Sequence, residues 1–268
     1  MSETFKIGCL ADGFRTDVRS ALKKAKALGL QGVQIYATGG EVSPDMTAAQ
    51  RRELVDFIES NGLVLSALCG EIGSFAEGQD RAQKIELSRR ILDLAVELGT
   101  NIVTTHVGNI PEDKNNKDYE MIQSACYELA QYADSMNAHF ALETGKETCV
   151  VLKEFLDTLG STGVAVNFDP ANLWMCIQDD PVAGVYTLKD YIVHTHAKDG
   201  VPDPTARWGW RELPLGEGGV DFPNYLKALK EIGYRGFLTI EREVGEKPEE
   251  DIAHAANFLR RTISENAL

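Results

Sequence analysis

Five apolar, β-prone runs of this 268-residue chain carry, at or beside their C-terminal ends, a side chain that can bind a metal ion or move a proton. They are His106 in "NIVTTHV" (101–107), Glu143 in "AHFALE" (138–143), Asp169 in "GVAVNFD" (163–169), His196 in "YIVHTHA" (191–197) and Glu241 in "GFLTIE" (236–241). Each alone has an ordinary reading. Asp169, directly before Pro170, is placed to cap a helix. Glu143 could pair with a lysine, and His106 could be a hydrogen-bonded wall residue. Five consecutive runs ending this way form a pattern, and the chemistry it suggests is cation binding. Carboxylates crowded into one mouth would repel and raise one another's affinity for protons, an objection that a divalent cation removes. Two Glu, one Asp and one His make an oxygen-rich donor set with a single imidazole. Such a set suits Mn²⁺ first, or Mg²⁺ or Co²⁺, over a thiolate-preferring metal. Positions would stay open for substrate oxygens. On that reading Asp169 is a ligand and not a turn residue.

Something must bring these residues together. Eight apolar runs (5–11, 32–37, 63–69, 101–107, 138–143, 163–169, 191–197 and 236–241) are nearly continuous in hydrophobic residues, as strands covered on both faces should be. Segments with apolar residues three and four apart lie between or after them, at 17–29, 47–62, 80–99, 150–160, 222–236 and 247–263. Several stop at a glycine (Gly29, Gly62, Gly99, Gly160), the expected C-terminal signal. The alternation predicts an α/β fold, a (β/α)8 TIM barrel forming a single domain over residues 1–268. In such a barrel the C-terminal strand ends share one mouth. A doubly wound open sheet competes, but it usually has fewer strands and a glycine-rich loop after the first, which "CLADGFRTD" is not.

The connection 198–220 is long for a compact domain and reads as an active-site loop that closes over a substrate. Trp208 and Trp210 would stack on the substrate or pack the loop. Arg207 and Arg211 would clamp a phosphate or simply be exposed. Lys198 would neutralise charge at the site or pair with Asp199.

Composition narrows the partners. A formal charge of −14, from 27 basic and 41 acidic residues, offers no basic footprint for nucleic-acid phosphates. No apolar run approaches the roughly 18 residues of a membrane span, and "MSETFKIGCLADGF" lacks the pattern of a secretory leader. The five cysteines are scattered without a CxxC pair, which fits a reducing, cytoplasmic setting. The expected partner is a small molecule, with no nucleic acid and no membrane, and with a homo-oligomer left open.

The strings "ALETG", "NFDPANL", "VHTHAKDG", "LPLGEGGVDF" and "GYRGFLTIERE" resemble the sugar phosphate isomerase/epimerase family. That family lies within the xylose-isomerase-like, AP-endonuclease-related superfamily of TIM barrels, and the resemblance spans essentially the whole chain. It implies one divalent cation held by Glu143, Asp169, His196 and Glu241. His196 is chosen over His194 because it precedes Lys198 and Asp199 in the family pattern, while His194 would lie one layer deeper. It implies proton transfer beside the carbonyl of a carbohydrate or polyol ketone, through a metal-stabilised enediolate. Glu143 and Glu241 would be the catalytic pair, and His106 a substrate-binding residue or a packed strand-end residue. A lyase acting on a keto-inositol-like polyol shares the same donor set, and a non-catalytic sugar-binding barrel is a further alternative. Asn172 stands where many keto-sugar epimerases have histidine, and Pro202 where others have arginine. The grip on substrate therefore differs here.

Overall fold

The alternation of apolar runs and amphipathic segments closes into a parallel barrel. The computed structural model describes residues 5–268; the first residues of the stretch inspected for a leader lie outside the described residues. The strands are β1 (Lys6–Leu10), β2 (Gly32–Tyr36), β3 (Val64–Cys69), β4 (Ile102–Thr105), β5 (His139–Glu143), β6 (Val164–Phe168) and β7 (Ile192–Ala197). They are followed by β8 (Asp199–Pro202), β9 (Trp210–Leu213) and β10 (Phe237–Ile240), the eighth barrel strand. The closed order is β1-β10-β7-β6-β5-β4-β3-β2. β1 closes it by pairing in parallel with both β10 and β2.

The helices are α1 (Val18–Ala27), α2 (Ala48–Ser60), α3 (Arg81–Glu97), α4 (Lys117–Ser135), α5 (Cys149–Leu159), α6 (Pro170–Asn172), α7 (Pro181–Thr187), α8 (Phe222–Glu231) and α9 (Pro248–Glu265). Local chemistry sets their ends. Thr47 and Gln50 form a reciprocal capping box at α2. Gly160, at φ 59°, ends α5 in the left-handed conformation. α4 was not singled out from the sequence, although Tyr119, Ile122, Ala125, Cys126, Leu129, Ala130 and Ala133 make up its buried face. Among the described residues no helix is long and apolar enough to cross a membrane.

The segment 198–220 differs from the loop expected. β8 and β9 pair antiparallel, from Asp199 opposite Leu213 to Pro202 opposite Trp210. The return to the barrel is gathered by one buried carboxylate. Asp199 accepts the backbone N–H groups of Gly200 and Val220 on Oδ1 and of Gly216 and Gly218 on Oδ2. Buried Glu212 accepts from Arg242 Nη1 at 2.7 Å, and Arg242 Nε donates to Asp251 of α9 at 2.8 Å. The hairpin is thus braced against the barrel from its base and from β9.

Candidate metal centre

β5, β6, β7 and β10 are neighbours in the barrel, and each delivers one donor to a common point. Glu143 ends β5, Asp169 follows β6, His196 lies near the end of β7, and Glu241 follows β10. All four are buried, and their donor atoms lie within 4.8 Å of one another. His196 Nδ1 is 3.2 Å from Glu241 Oε2, 3.5 Å from Glu143 Oε1 and 3.7 Å from Asp169 Oδ2.

Each carboxylate is held from outside the cluster. Asp169 Oδ1 accepts the N–H groups of Ala171 and Asn172 at 2.8 and 2.9 Å, capping α6. Its Oδ2 is buried with no hydrogen-bond donor. Asp169 is therefore a cap and a cluster member at once, which corrects the either–or reading of the sequence. Glu143 accepts from Asn172 Nδ2 on Oε1 at 2.9 Å and from Asn167 Nδ2 on Oε2 at 3.2 Å. Gly145, at φ 118°, is required beside it, because a Cβ there would collide with Asn172. Lys198 Nζ lies 3.0 Å from Glu241 Oε2 and 2.6 Å from Glu243 Oε2. Glu241 Oε2 is nonetheless without a donor in hydrogen-bond geometry, so this contact is an ion pair only. Two buried acceptor oxygens lacking donors, converging with a third carboxylate and one imidazole nitrogen, fit a divalent cation.

Electrostatics point the same way. Burial, the largest single influence, pushes the Glu143 carboxyl up, but His196 and His106 together hold the group below its ordinary range. Burial opposes ionisation of Glu241 too, and Lys198 and His196 hold it well below. At Asp169 burial wins and the carboxyl is raised. Burial disfavours a charged His196, yet Glu241 and Glu143 lift it well above the usual imidazole value. Cationic groups thus stand where a metal ion would balance the same carboxylates.

Glu143, His196 and Glu241 of the cluster line a cavity of about 410 Å³ whose walls also include Tyr36, Glu71, His106, Lys146, Asn172 and Trp210. A larger hollow of about 620 Å³ lies around α8, beside Lys227, Lys230 and Arg235, and none of the four cluster residues lines it.

Residues 22–262 match the model of the family described as "Xylose isomerase-like TIM barrel". The chain belongs to the xylose isomerase-like TIM barrel family. It is 26% identical over 263 residues to the L-ribulose-5-phosphate 3-epimerase UlaE of Escherichia coli, covering 91% of this chain and 89% of that protein. It is also 28% identical over 185 residues to an uncharacterized protein of Methanocaldococcus jannaschii, where the match spans 63% of this chain and 60% of that one. The crystal structure of a xylose isomerase domain protein from Planctomyces limnophilus superposes with a TM-score of 0.85 at 25% identity, covering 100% and 99% of the two chains.

Within this xylose isomerase-like barrel the remaining sequence candidates fall into two groups. His106, Lys198 and Trp210 line the cavity. His106 Nδ1 and its backbone N–H both meet Glu71 Oε2, at 2.8 and 2.9 Å, and Nε2 lies 4.0 Å from Glu143. Burial opposes its protonation, but Glu143 and Glu71 push it up to about 9. Lys198 pairs with Glu241 and Glu243 and leaves Asp199 to the hairpin backbone. Arg207, Trp208 and Arg211 are not among the cavity's lining. Trp208 is 67% exposed, with the Arg207 guanidinium 4.6 Å over its ring, and Arg211 pairs with Asp203 at 3.0 Å. Sequence reasoning passed over Glu71, Gln34 and Asn167, and noted Asn172 only as standing where many epimerases have histidine, not as the donor to Glu143. A signal existed for Gln34 and Asn167: each is a lone amide inside an apolar strand, "GVQIY" and "VAVNF", where a buried amide needs partners. His194 is the deeper of the two histidines, bonded to Asn167, Ser66 and Thr239 beneath the cluster.

Proposed function

We propose that this protein is a divalent-cation-dependent isomerase or epimerase of a small carbohydrate or polyol ketone. The observation that carries the reading is the convergence of Glu143, Asp169, His196 and Glu241 on one buried point, with Glu143, His196 and Glu241 lining a cavity. These four residues would hold the cation, Mn²⁺ by preference, with Mg²⁺ or Co²⁺ as alternatives. When bound, the cation supplies Lewis-acid polarisation of a substrate carbonyl. Glu143 and Glu241 flank the substrate position as the proton-transferring pair. One carboxylate takes the proton from the carbon beside the carbonyl, the C–H electron pair passes into an enediolate, and the other carboxyl group delivers a proton to the opposite face or the neighbouring carbon. Lys198, ion-paired with Glu241, balances the negative charge of the site. His106, held by Glu71, directs Nε2–H at a substrate oxygen, and Trp210 forms a wall for the carbon skeleton. The E. coli relative named as an L-ribulose-5-phosphate 3-epimerase supports a ketose substrate.

The test is a screen of ketoses and keto-polyols with Mn²⁺, read by NMR in D₂O. Deuterium should appear at the carbon beside the carbonyl in a product of unchanged mass apart from the label. Glu143→Gln and Glu241→Gln should abolish exchange. A product lighter by one water would establish the lyase instead. Turnover without label, undiminished in both variants, would defeat the proposal.

A further inference from the structure

His196 has two ring nitrogens, and only an unprotonated one can bind a cation. Nδ1 faces the three carboxylates, whereas Nε2 lies 2.9 Å from Gln34 Oε1. Gln34 is fully buried on β2, and its Nε2 lies 2.6 Å from Thr104 Oγ1 on β4. The Thr104 hydroxyl in turn points at the Leu68 carbonyl, 3.4 Å away, which can only accept. The polarity of the chain follows from that end. Thr104 donates to Leu68, the Gln34 amide N–H donates to Thr104, and the Gln34 amide oxygen is thereby turned to receive the proton on His196 Nε2. We propose that Gln34, oriented by Thr104, is a positioning residue that holds a proton on His196 Nε2 and so reserves Nδ1 as the nitrogen for a cation. The proposal rests on the cation-site reading given above.

Asn167 Nδ2 offers competing contacts, 3.3 Å from His196 Nε2 and 3.5 Å from Nδ1, where it could donate to an unprotonated nitrogen. Both are longer than the 2.9 Å contact to Gln34, and the Asn167 amide has nearer or equally near partners. Its Oδ1 accepts from His194 Nδ1 at 2.9 Å, and its Nδ2 donates to Glu143 Oε2 at 3.2 Å.

The experiment combines Mn²⁺ affinity by titration calorimetry with ¹H–¹⁵N spectra of the His196 ring, recorded cation-free and with diamagnetic Mg²⁺. Gln34→Met keeps the bulk but removes the acceptor, and Thr104→Val frees the amide to turn over. Each should weaken Mn²⁺ binding by roughly 10- to 100-fold and lose the slowly exchanging Nε2–H resonance. Gln34→Glu and Thr104→Ser retain the acceptor and the hydroxyl and should keep both properties. Parent-like affinity and an unchanged resonance in a folded Gln34→Met would overturn the proposal, as would equal losses in all four variants. If Gln34→Met fails to fold, the Thr104 pair decides, and equal behaviour of Val and Ser overturns it. A parent that takes up no cation, yet whose Nε2–H resonance still depends on Gln34, defeats the cation-site reading and leaves the Nε2–H assignment standing.

Discussion

Asp169 divides its two oxygens between folding and the cluster, which makes the two roles separable by experiment. Asp169→Asn retains an oxygen for capping α6, since Asn is as good a cap as Asp, but it replaces a charged donor by an amide. The variant should fold with the parent's circular dichroism and lose the rise in melting temperature that Mn²⁺ gives the parent. An undiminished Mn²⁺-induced rise would reduce Asp169 to a cap alone. A second residue-scale prediction concerns Glu147, which is buried and accepts the Ile110 N–H at 3.2 Å. Burial pushes this carboxyl up to about 7 from an ordinary value of 4.5, against the weaker pull of the Ile110 N–H and His106. Below the ordinary value both folded and unfolded chains hold the proton. Between that value and about 7 only the folded chain keeps it, so stability falls as pH rises; above, the full penalty of about 3 kcal/mol applies. Glu147→Gln keeps the acceptor without the charge. In urea unfolding it should exceed the parent by about 1–3 kcal/mol at alkaline pH, with the gain vanishing in acid. A gain independent of pH would point to packing instead.

At the scale of elements, the hairpin β8–β9 is where reading and structure part. The eight barrel strands were legible because two-sided burial leaves long apolar runs, and the site was legible because five of those runs end in donors. "DGVP" and "WREL" carry no such pattern, since the hairpin stands outside the barrel and is held by polar side chains. Glu71 was hidden for a related reason: it sits beyond the end of β3, and only the closed barrel brings it to His106. Asn172 was noted in the sequence, but its bond to Glu143 shows only once β5 and α6 are placed side by side. The hairpin's dependence on Asp199 gives a test. In Asp199→Asn one side-chain oxygen becomes an NH₂ facing two backbone N–H donors, either those of Gly200 and Val220 or those of Gly216 and Gly218. Leaving two donors unpaired should cost roughly 2–5 kcal/mol. Amide hydrogen exchange should accelerate at residues 199–220 before it does in the barrel strands. Exchange accelerated evenly over the whole chain would mean that the hairpin and barrel unfold as one unit.

For the whole molecule, the four cluster donors come from β5, β6, β7 and β10, while Gln34, Glu71 and His106 come from the opposite arc of the closed barrel. A bound cation would therefore be linked to the stability of the entire fold, and that linkage has a definite pH dependence. Burial opposes a charged His196, but Glu241 and Glu143 hold it protonated well above its ordinary range. As a group whose folded value is raised, it contributes stability that is present below the unfolded value and lost as pH rises through the folded one. The cation must displace this proton, so its apparent affinity should rise about tenfold for each pH unit below the folded value. Saturation at a hundredfold excess over Kd adds about 2.7 kcal/mol of stability, and each tenfold gain in affinity adds about 1.4 kcal/mol more. The two effects reinforce each other: the cation-free protein weakens toward alkaline pH as its response to cation grows. Melting curves with EDTA and with a fixed excess of Mn²⁺, taken from mildly acidic to mildly alkaline pH, should diverge steadily. Calorimetry in buffers of different ionisation heat should show about one proton released per cation bound in this range. Parallel melting curves with no proton release would mean that the cation does not compete for His196 Nδ1, and that the four side chains do not form one centre.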